Sequence, residues 1–304
     1  MFRSIRARII AATVGCLIAA LILNTVINFQ VTRQDNQQSQ RDMLASTSAS
    51  HSLAIADWVS SKTTIINSLQ GVALSDDPVP MFKQLAQAGG FINVYVGYAS
   101  KTAKFSNPDG VPADYDPTVR PWYQQAVNED RAIVTAPYVD TGTKKLVVTF
   151  AVPVKENGEL KAVLAGDVAM DSVIANVRGI HPTPASSGLL IDSDGTVIAA
   201  NDPALTLKPF ADVIHGVDLN VLKSGKRAEG QFNDAAKTFA ATPIAGTQWQ
   251  LVVALDSDDA TSGMRTLLKA SSLSLVILVL LSAVVVHFVI ARLLKRLSDI
   301  RDAM

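Results

Sequence analysis

Hydrophobic positions fall into three textures along the chain. Residues 9–29 and residues 270–290 are largely apolar blocks, each 21 residues long with no charged side chain. At a rise of about 1.5 Å per residue, each block spans the roughly 30 Å hydrocarbon core of a bilayer as a helix. A cleaved signal peptide explains the first block poorly. Its apolar stretch exceeds the usual 7–15 or so residues, and no small-x-small site precedes Gln34. A buried globular helix explains the second no better. Arg3, Arg6 and Arg8 precede the first block, and Arg292, Lys295 and Arg296 follow the second. Cationic flanks stay in the cytoplasm, so residues 1–8 and 291–304 are expected there, with residues 30–269 outside.

The second texture covers residues 30–75, which are rich in Gln, Ser, Ala and Thr and contain no Pro. Leu44, Leu53, Ile55, Trp58, Val59, Ile65, Ile66 and Leu69 recur at helical spacing. They predict a stalk continuing out of the first block for some 45 residues, about 65 Å, or two shorter helices with a break. The third texture begins after Asp77-Pro78. A short helix over 81–88 precedes β-rich runs at 91–98, 133–138, 145–154 and 160–168, and then a helix over 171–177. A second round places strands at 189–192 and 196–200, a helical or loop stretch over 210–222, and strands at 230–232, 237–243 and 248–255. A closing helix starts at Asp256. Asn157-Gly158 is a strong hairpin signal. Thr149-Phe150-Ala151 and Thr238-Phe239-Ala240 each precede a Pro and a turn, with Asp167 and Asp256 both 17 residues after the Phe. The two rounds therefore read as a repeat. Strands joined by tight hairpins argue against a parallel, doubly wound sheet. The expected fold class is α+β: two tandem antiparallel-sheet lobes, about 78–180 and 188–256, on one long helix between two membrane helices.

Composition narrows the function. Lys+Arg and Asp+Glu number 27 each, so the formal net charge is zero and counterion release cannot drive nucleic-acid binding. Charged residues are 18% against about 25% in soluble domains, and the apolar excess sits in the two blocks. The single cysteine, Cys16, lies in the first block. The 240-residue loop thus holds no disulfide, and it is long enough to bury a core without one. His51, His181 and His215 are scattered with no ligand spacing, and His287 lies within the second block. No nucleophile elbow, phosphate loop or dinucleotide fingerprint is present, so no enzyme activity, metal or cofactor is expected. Asp192, Asp194 and Gly195 read as a hairpin turn rather than a calcium loop.

One cluster stands apart. Residues 114–123 read Asp-Tyr-Asp-Pro-Thr-Val-Arg-Pro-Trp-Tyr, in a chain with only 6% aromatic residues. Pro117 and Pro121 stiffen the backbone, and a guanidinium held at Arg120 suits a carboxylate. Aromatic walls exclude water and offer polar tips. By themselves these residues also fit a core aromatic cluster with a surface Arg.

Tyr115, Arg120, Trp122, Tyr123, Tyr138 and Asp167 together resemble the amino-acid-binding signature of double Cache (dCache) domains, extracytoplasmic sensors of bacterial chemoreceptors, sensor kinases and related transducers. The resemblance rests on Arg-Pro-Trp-Tyr, on Pro-Tyr-Val-Asp around Tyr138, and on Gly166-Asp167, in that order. It covers nearly the whole chain, since the family is built as membrane span, long helix, two PAS-like lobes and membrane span. It implies that Arg120 and the Trp122 indole N–H bind an α-carboxylate. Asp167 would take the α-ammonium with the Tyr115 and Tyr138 hydroxyls, while Tyr123 shapes the pocket. Tyr95 and Asp140 resemble further lining positions. A zwitterion would pair both buried charges, whereas a simple acid or amine would leave one unmatched. The second lobe, lacking such a cluster, is expected to be a relay. Residues 291–304 resemble the start of a HAMP linker. The resemblance thus implies a homodimeric, inner-membrane methyl-accepting chemotaxis receptor for an L-amino acid, with cytoplasmic kinase-control machinery as partner if the chain continues. The alternatives are the same sensor on a histidine kinase or diguanylate cyclase, or a receptor for polyamines or organic acids.

Overall fold

A computed structural model describes the backbone of residues 5–301. Arg3 and residues 302–304 lie outside the described residues, as do the side chains of Arg6, Arg8, Lys295 and Arg296. Two compact units result, one from residues 43–257 and one from the flanking helical segments.

Helix α1 (Ile5–Asn67) is continuous for 63 residues, because it contains no Pro and only one Gly. The stalk is therefore unbroken. Within residues 43–257 its buried stripe runs through Leu44, Ser48, Ile55, Val59 and Ile66. After α2 (Gln70–Ala73) and α3 (Val79–Gly89), the chain enters the first sheet. Its elements are β1 (Asn93–Tyr98), β2 (Ala103–Phe105), α4 (Pro121–Glu129), β3 (Ile133–Val134), β4 (Tyr138–Val139), β5 (Leu146–Glu156) and β6 (Glu159–Ala169). The strand order is β2-β1-β6-β5-β3, with β4 also on β5, and every pairing is antiparallel.

Local chemistry accounts for the departures from expectation. The run expected over 133–138 splits into β3 and β4, since Pro137 has no N–H for the ladder. The proline-rich stretch does more than stiffen the backbone. Asp116 caps a 3-10 turn at Pro117–Val119 by accepting from the Thr118 N–H at 2.9 Å. Pro121 then opens α4 at its first position, where a missing N–H is tolerated. Helix α4 covers one face of the sheet. A Cβ on Gly97 of β1 would lie 2.5 Å from Pro117 Cβ and 2.9 Å from Trp122 Cη2, so only glycine admits that approach. On the opposite face Phe150 meets Trp58 of α1 edge-on, with ring centroids 5.5 Å apart.

After α5 (Met170–Arg178), the second sheet comprises β7 (Ser187–Ile191), β8 (Val197–Ala200), α6 (Phe210–Val213), α7 (Leu219–Lys223), β9 (Ala228–Phe232), β10 (Ala235–Pro243) and β11 (Gln250–Asp256). Its order, β8-β7-β11-β10-β9, repeats that of the first sheet. The lobes therefore match in topology, although the Thr-Phe-Ala motifs do not occupy matching places. Phe150 faces α1, whereas Phe239 packs with Phe210, Val213 and Leu222 of α6 and α7. The reason is a bulge between Val154 and Lys155, which shifts the β5–β6 register by one residue; β10–β11 has none.

In the flanking unit, α1 and α8 (Ser257–Arg301) run side by side. A groove of about 160 Å³ between them is lined by Leu21, Thr25, Phe29, Leu268, Ser271 and Leu275. Ile22, Leu23, Ile27, Leu280, Val284 and Phe288 point outward and are exposed. Both helices are long and apolar enough to cross a membrane.

Candidate functional site

The α4-covered face of the first sheet carries the candidate site. Asp167 lies on β6, opposite Asn93 of β1 and Thr149 of β5, and is 1% exposed. Tyr95 Oη donates to Asp167 Oδ1 at 2.9 Å, and Thr149 Oγ1 donates to the same oxygen at 2.6 Å. Tyr138 Oη lies 2.7 Å from Thr149 Oγ1. With the Thr149 proton directed at Asp167, Tyr138 is the donor in that pair. Both bonds to the carboxylate end on Oδ1, leaving Oδ2 open. Burial pushes the Asp167 carboxyl up to about 7, although the bonds from Thr149 and Tyr95 pull the other way and Asp140 adds like charge. Burial, followed by the Asp167 charge, likewise drives the Tyr95 and Tyr138 hydroxyls above their ordinary values.

A chain of ring contacts leads from this carboxylate to Arg120. Tyr95 stacks on Phe105 at 5.1 Å and meets Trp122 edge-on at 5.1 Å. Phe105 meets Tyr115 at 5.4 Å, and the Arg120 guanidinium sits 4.6 Å from the Tyr115 ring centre. Arg120 is the residue that caps α4, and its Nε is buried with no hydrogen-bond partner. An orphaned buried donor costs about 1–3 kcal/mol. Among the described residues, neither Arg120 nor Asp167 joins an ion pair.

Tyr95, Tyr115, Arg120, Trp122, Tyr138 and Asp167 are thus brought together by β1, the loop after β2, the start of α4, β4 and β6. Tyr123 is buried with Ala126 and Ile133, its ring 5.6 Å from Trp122. Asp140 serves its own loop, where its Oδ2 accepts from Thr143 N at 2.6 Å and Thr143 Oγ1 at 2.7 Å and so closes the turn after β4. Two further residues meet this cluster without having been expected there from the sequence. Phe105 bridges Tyr95 and Tyr115, and Thr149 links Tyr138 to Asp167. Counting back from the Asn157-Gly158 turn comes within one residue of finding Thr149, and the bulge supplies the difference. In the second lobe, Phe210, Leu222, Phe232 and Phe239 fill the corresponding face.

Comparison with known proteins places this architecture. McpA of Pseudomonas putida, a methyl-accepting chemotaxis protein, is 27% identical over 312 residues, covering 98% of this chain and 47% of McpA. PctB of Pseudomonas aeruginosa, also a methyl-accepting chemotaxis protein, is 24% identical over 98% of this chain and 48% of its own length. The chain spans about half the length of these relatives. The ligand-binding domain of the P. aeruginosa amino acid chemoreceptor PctC, solved with GABA, superposes with a TM-score of 0.62 at 26% identity, over 71% of this chain and 100% of that one. That of the Pseudomonas fluorescens chemoreceptor CtaA, solved with L-isoleucine, gives a TM-score of 0.66 at 24% identity, over 77% and 97%. Residues 29–264, the long helix and both lobes, match the Cache domain in its dCache form, and with more than three quarters of its length inside that match the chain belongs to the Cache domain family.

Proposed function

We propose that this chain is the sensory part of a transmembrane chemoreceptor, and that its first lobe binds an L-amino acid and passes the signal across the inner membrane for chemotaxis. The observation that carries the reading is the pair of unmet opposite charges around one aromatic cluster: the Arg120 guanidinium with its orphaned Nε, and the open Oδ2 of Asp167. A zwitterion meets both. Arg120 and the Trp122 indole N–H take the α-carboxylate. Asp167 takes the α-ammonium, joined by the Tyr115 and Tyr138 hydroxyls, while Tyr95 holds the carboxylate in place. Tyr123 and Asp140 shape the surroundings, Asp140 through its turn. Solved relatives bound to L-isoleucine and to GABA, each carrying one carboxylate and one ammonium, support a zwitterionic ligand.

Residues 9–29 and 270–290 are the membrane spans, residues 30–269 the periplasmic sensor, and 291–304 the start of a HAMP linker, with both flanks cytoplasmic. The working form is a homodimer, coupled to cytoplasmic kinase-control machinery. Thermal-shift and calorimetric screening of the chain in nanodiscs against the twenty L-amino acids, GABA and putrescine tests the assignment. At least one amino acid should raise the melting temperature, and Arg120→Ala should abolish that shift. No response to any amino acid, or an undiminished response in Arg120→Ala, sinks it.

A further inference from the structure

The repeated strand order gives each lobe an aspartate in an equivalent place. Asp167 on β6 and Asp256 on β11 each face the hairpin partner strand, opposite Thr149 and Lys237 respectively. Each lies on the face that carries its lobe's own helices, in phase with Ala165 in the first lobe and Ala254 in the second. The difference is the cation. Among the described residues no cation pairs with Asp167, whereas Lys237 Nζ lies 3.2 Å from Asp256 Oδ2, with both side chains under a tenth exposed.

Lys237 also donates to the Ala185 carbonyl, and the Asp256 N–H donates to Ser186 Oγ at 2.8 Å. Ser186 Oγ in turn lies 2.5 Å from Thr183 Oγ1. The pair therefore ties β10, the segment 183–186 and the last residue of β11 into one network, immediately before α8 begins. A buried ammonium and a buried carboxylate persist only when paired and hydrogen-bonded, and here both conditions are met.

We infer that Lys237 is the second lobe's built-in ligand. Its ammonium stands where a free amino acid's ammonium stands in the first lobe, and it holds the second lobe permanently in the occupied arrangement. Comparison with the first lobe rests on the reading of Asp167 given above; the chemistry at Asp256 does not. The inference also says what the second lobe would bind once emptied: a short primary ammonium ion.

Chemical rescue tests this directly. Lys237→Ala removes the atoms of propylamine beyond Cβ. In the 304-residue chain in nanodiscs it should lower the melting temperature, and n-propylammonium at millimolar concentration should restore it by roughly 5 °C in a saturable way. The parent chain and the Lys237→Ala/Asp256→Asn double variant should not respond, nor should Lys237→Ala respond to tetramethylammonium. Equal shifts in all variants, or none in Lys237→Ala, overturn the inference. Should Lys237→Ala fail to fold, Lys237→Gln replaces it. Lacking a cation, that variant should lose stability relative to the parent increasingly as pH rises from 5 to 8, by at least about tenfold in the unfolding constant. A loss independent of pH overturns the inference. The neighbouring titratable groups, His181 on the loop and Asp258 and Asp259 in the first turn of α8, are common to both chains and cancel. Since no amino acid is added, failure here is distinct from failure of amino-acid binding in the first lobe.

Discussion

Replacing Asp167 with asparagine removes one buried charge while keeping the shape of the side chain and an Oδ1 acceptor for Tyr95 and Thr149. Burial raises this carboxyl from 3.8 to about 7. At about 1.4 kcal/mol per tenfold change in proton affinity, the rise corresponds to ~4 kcal/mol, an upper figure for a site that solvent and ligand can reach. The sign follows from the direction. A carboxyl whose folded value is raised favours the fold while protonated, so its contribution is complete below about pH 4 and is lost as pH climbs through 7. The parent chain therefore carries a destabilising charge at pH 8 that the asparagine variant lacks. Urea denaturation followed by tryptophan fluorescence, without ligand and at half-unit steps from pH 5 to 8, reads the difference. Asp167→Asn should be the more stable at pH 8, with the gap shrinking toward pH 5. Arg120, Asp140 and the tyrosines at 95, 115 and 138 surround the position in both proteins and cancel in the comparison. A gap that does not vary with pH, or a variant less stable than the parent at pH 8, would refute the reasoning.

The same titration governs the ligand. An ammonium needs the charged carboxylate, so amino-acid binding should weaken by up to about tenfold for each pH unit below 7 and release close to one proton near pH 6. Calorimetry in buffers of different ionisation heat measures both effects, and a dissociation constant flat from pH 5 to 8 contradicts the role of Asp167. Gly97→Ala drives a Cβ into Pro117 and Trp122. It should cost about 1–3 kcal/mol and shift the Trp122 emission, whereas unchanged stability would mean that α4 is not pressed against β1 as described.

Legibility differed with the range of the interaction. The six signature residues were readable, because their types and order lie within three short stretches of chain. The side-chain contacts around them were less so. Asp140 resembles a pocket-lining position in sequence, and the structure adds that its carboxylate closes its own turn with Thr143. Phe105 belongs to β2, a three-residue strand too short for a periodic signal. Helix α4 was hidden because Pro117 and Pro121 suggest stiffness before they suggest a capped helix start.

The amino-acid sequence by itself determined the two apolar helices, a proline-free helical stalk and the hairpin at Asn157-Gly158, while the structure decided that the stalk is unbroken. Each depends on neighbours within a few residues, through continuous apolarity, the absence of proline, or a positive φ that Asn and Gly accept. Only the tertiary structure decided which side chains share a face. A single bulge at Val154–Lys155 places Thr149 rather than its neighbour against Asp167, and register alone brings Lys237 to Asp256. A one-residue slip turns every side chain of a strand to the other face, and that choice is made by the packing of the whole sheet.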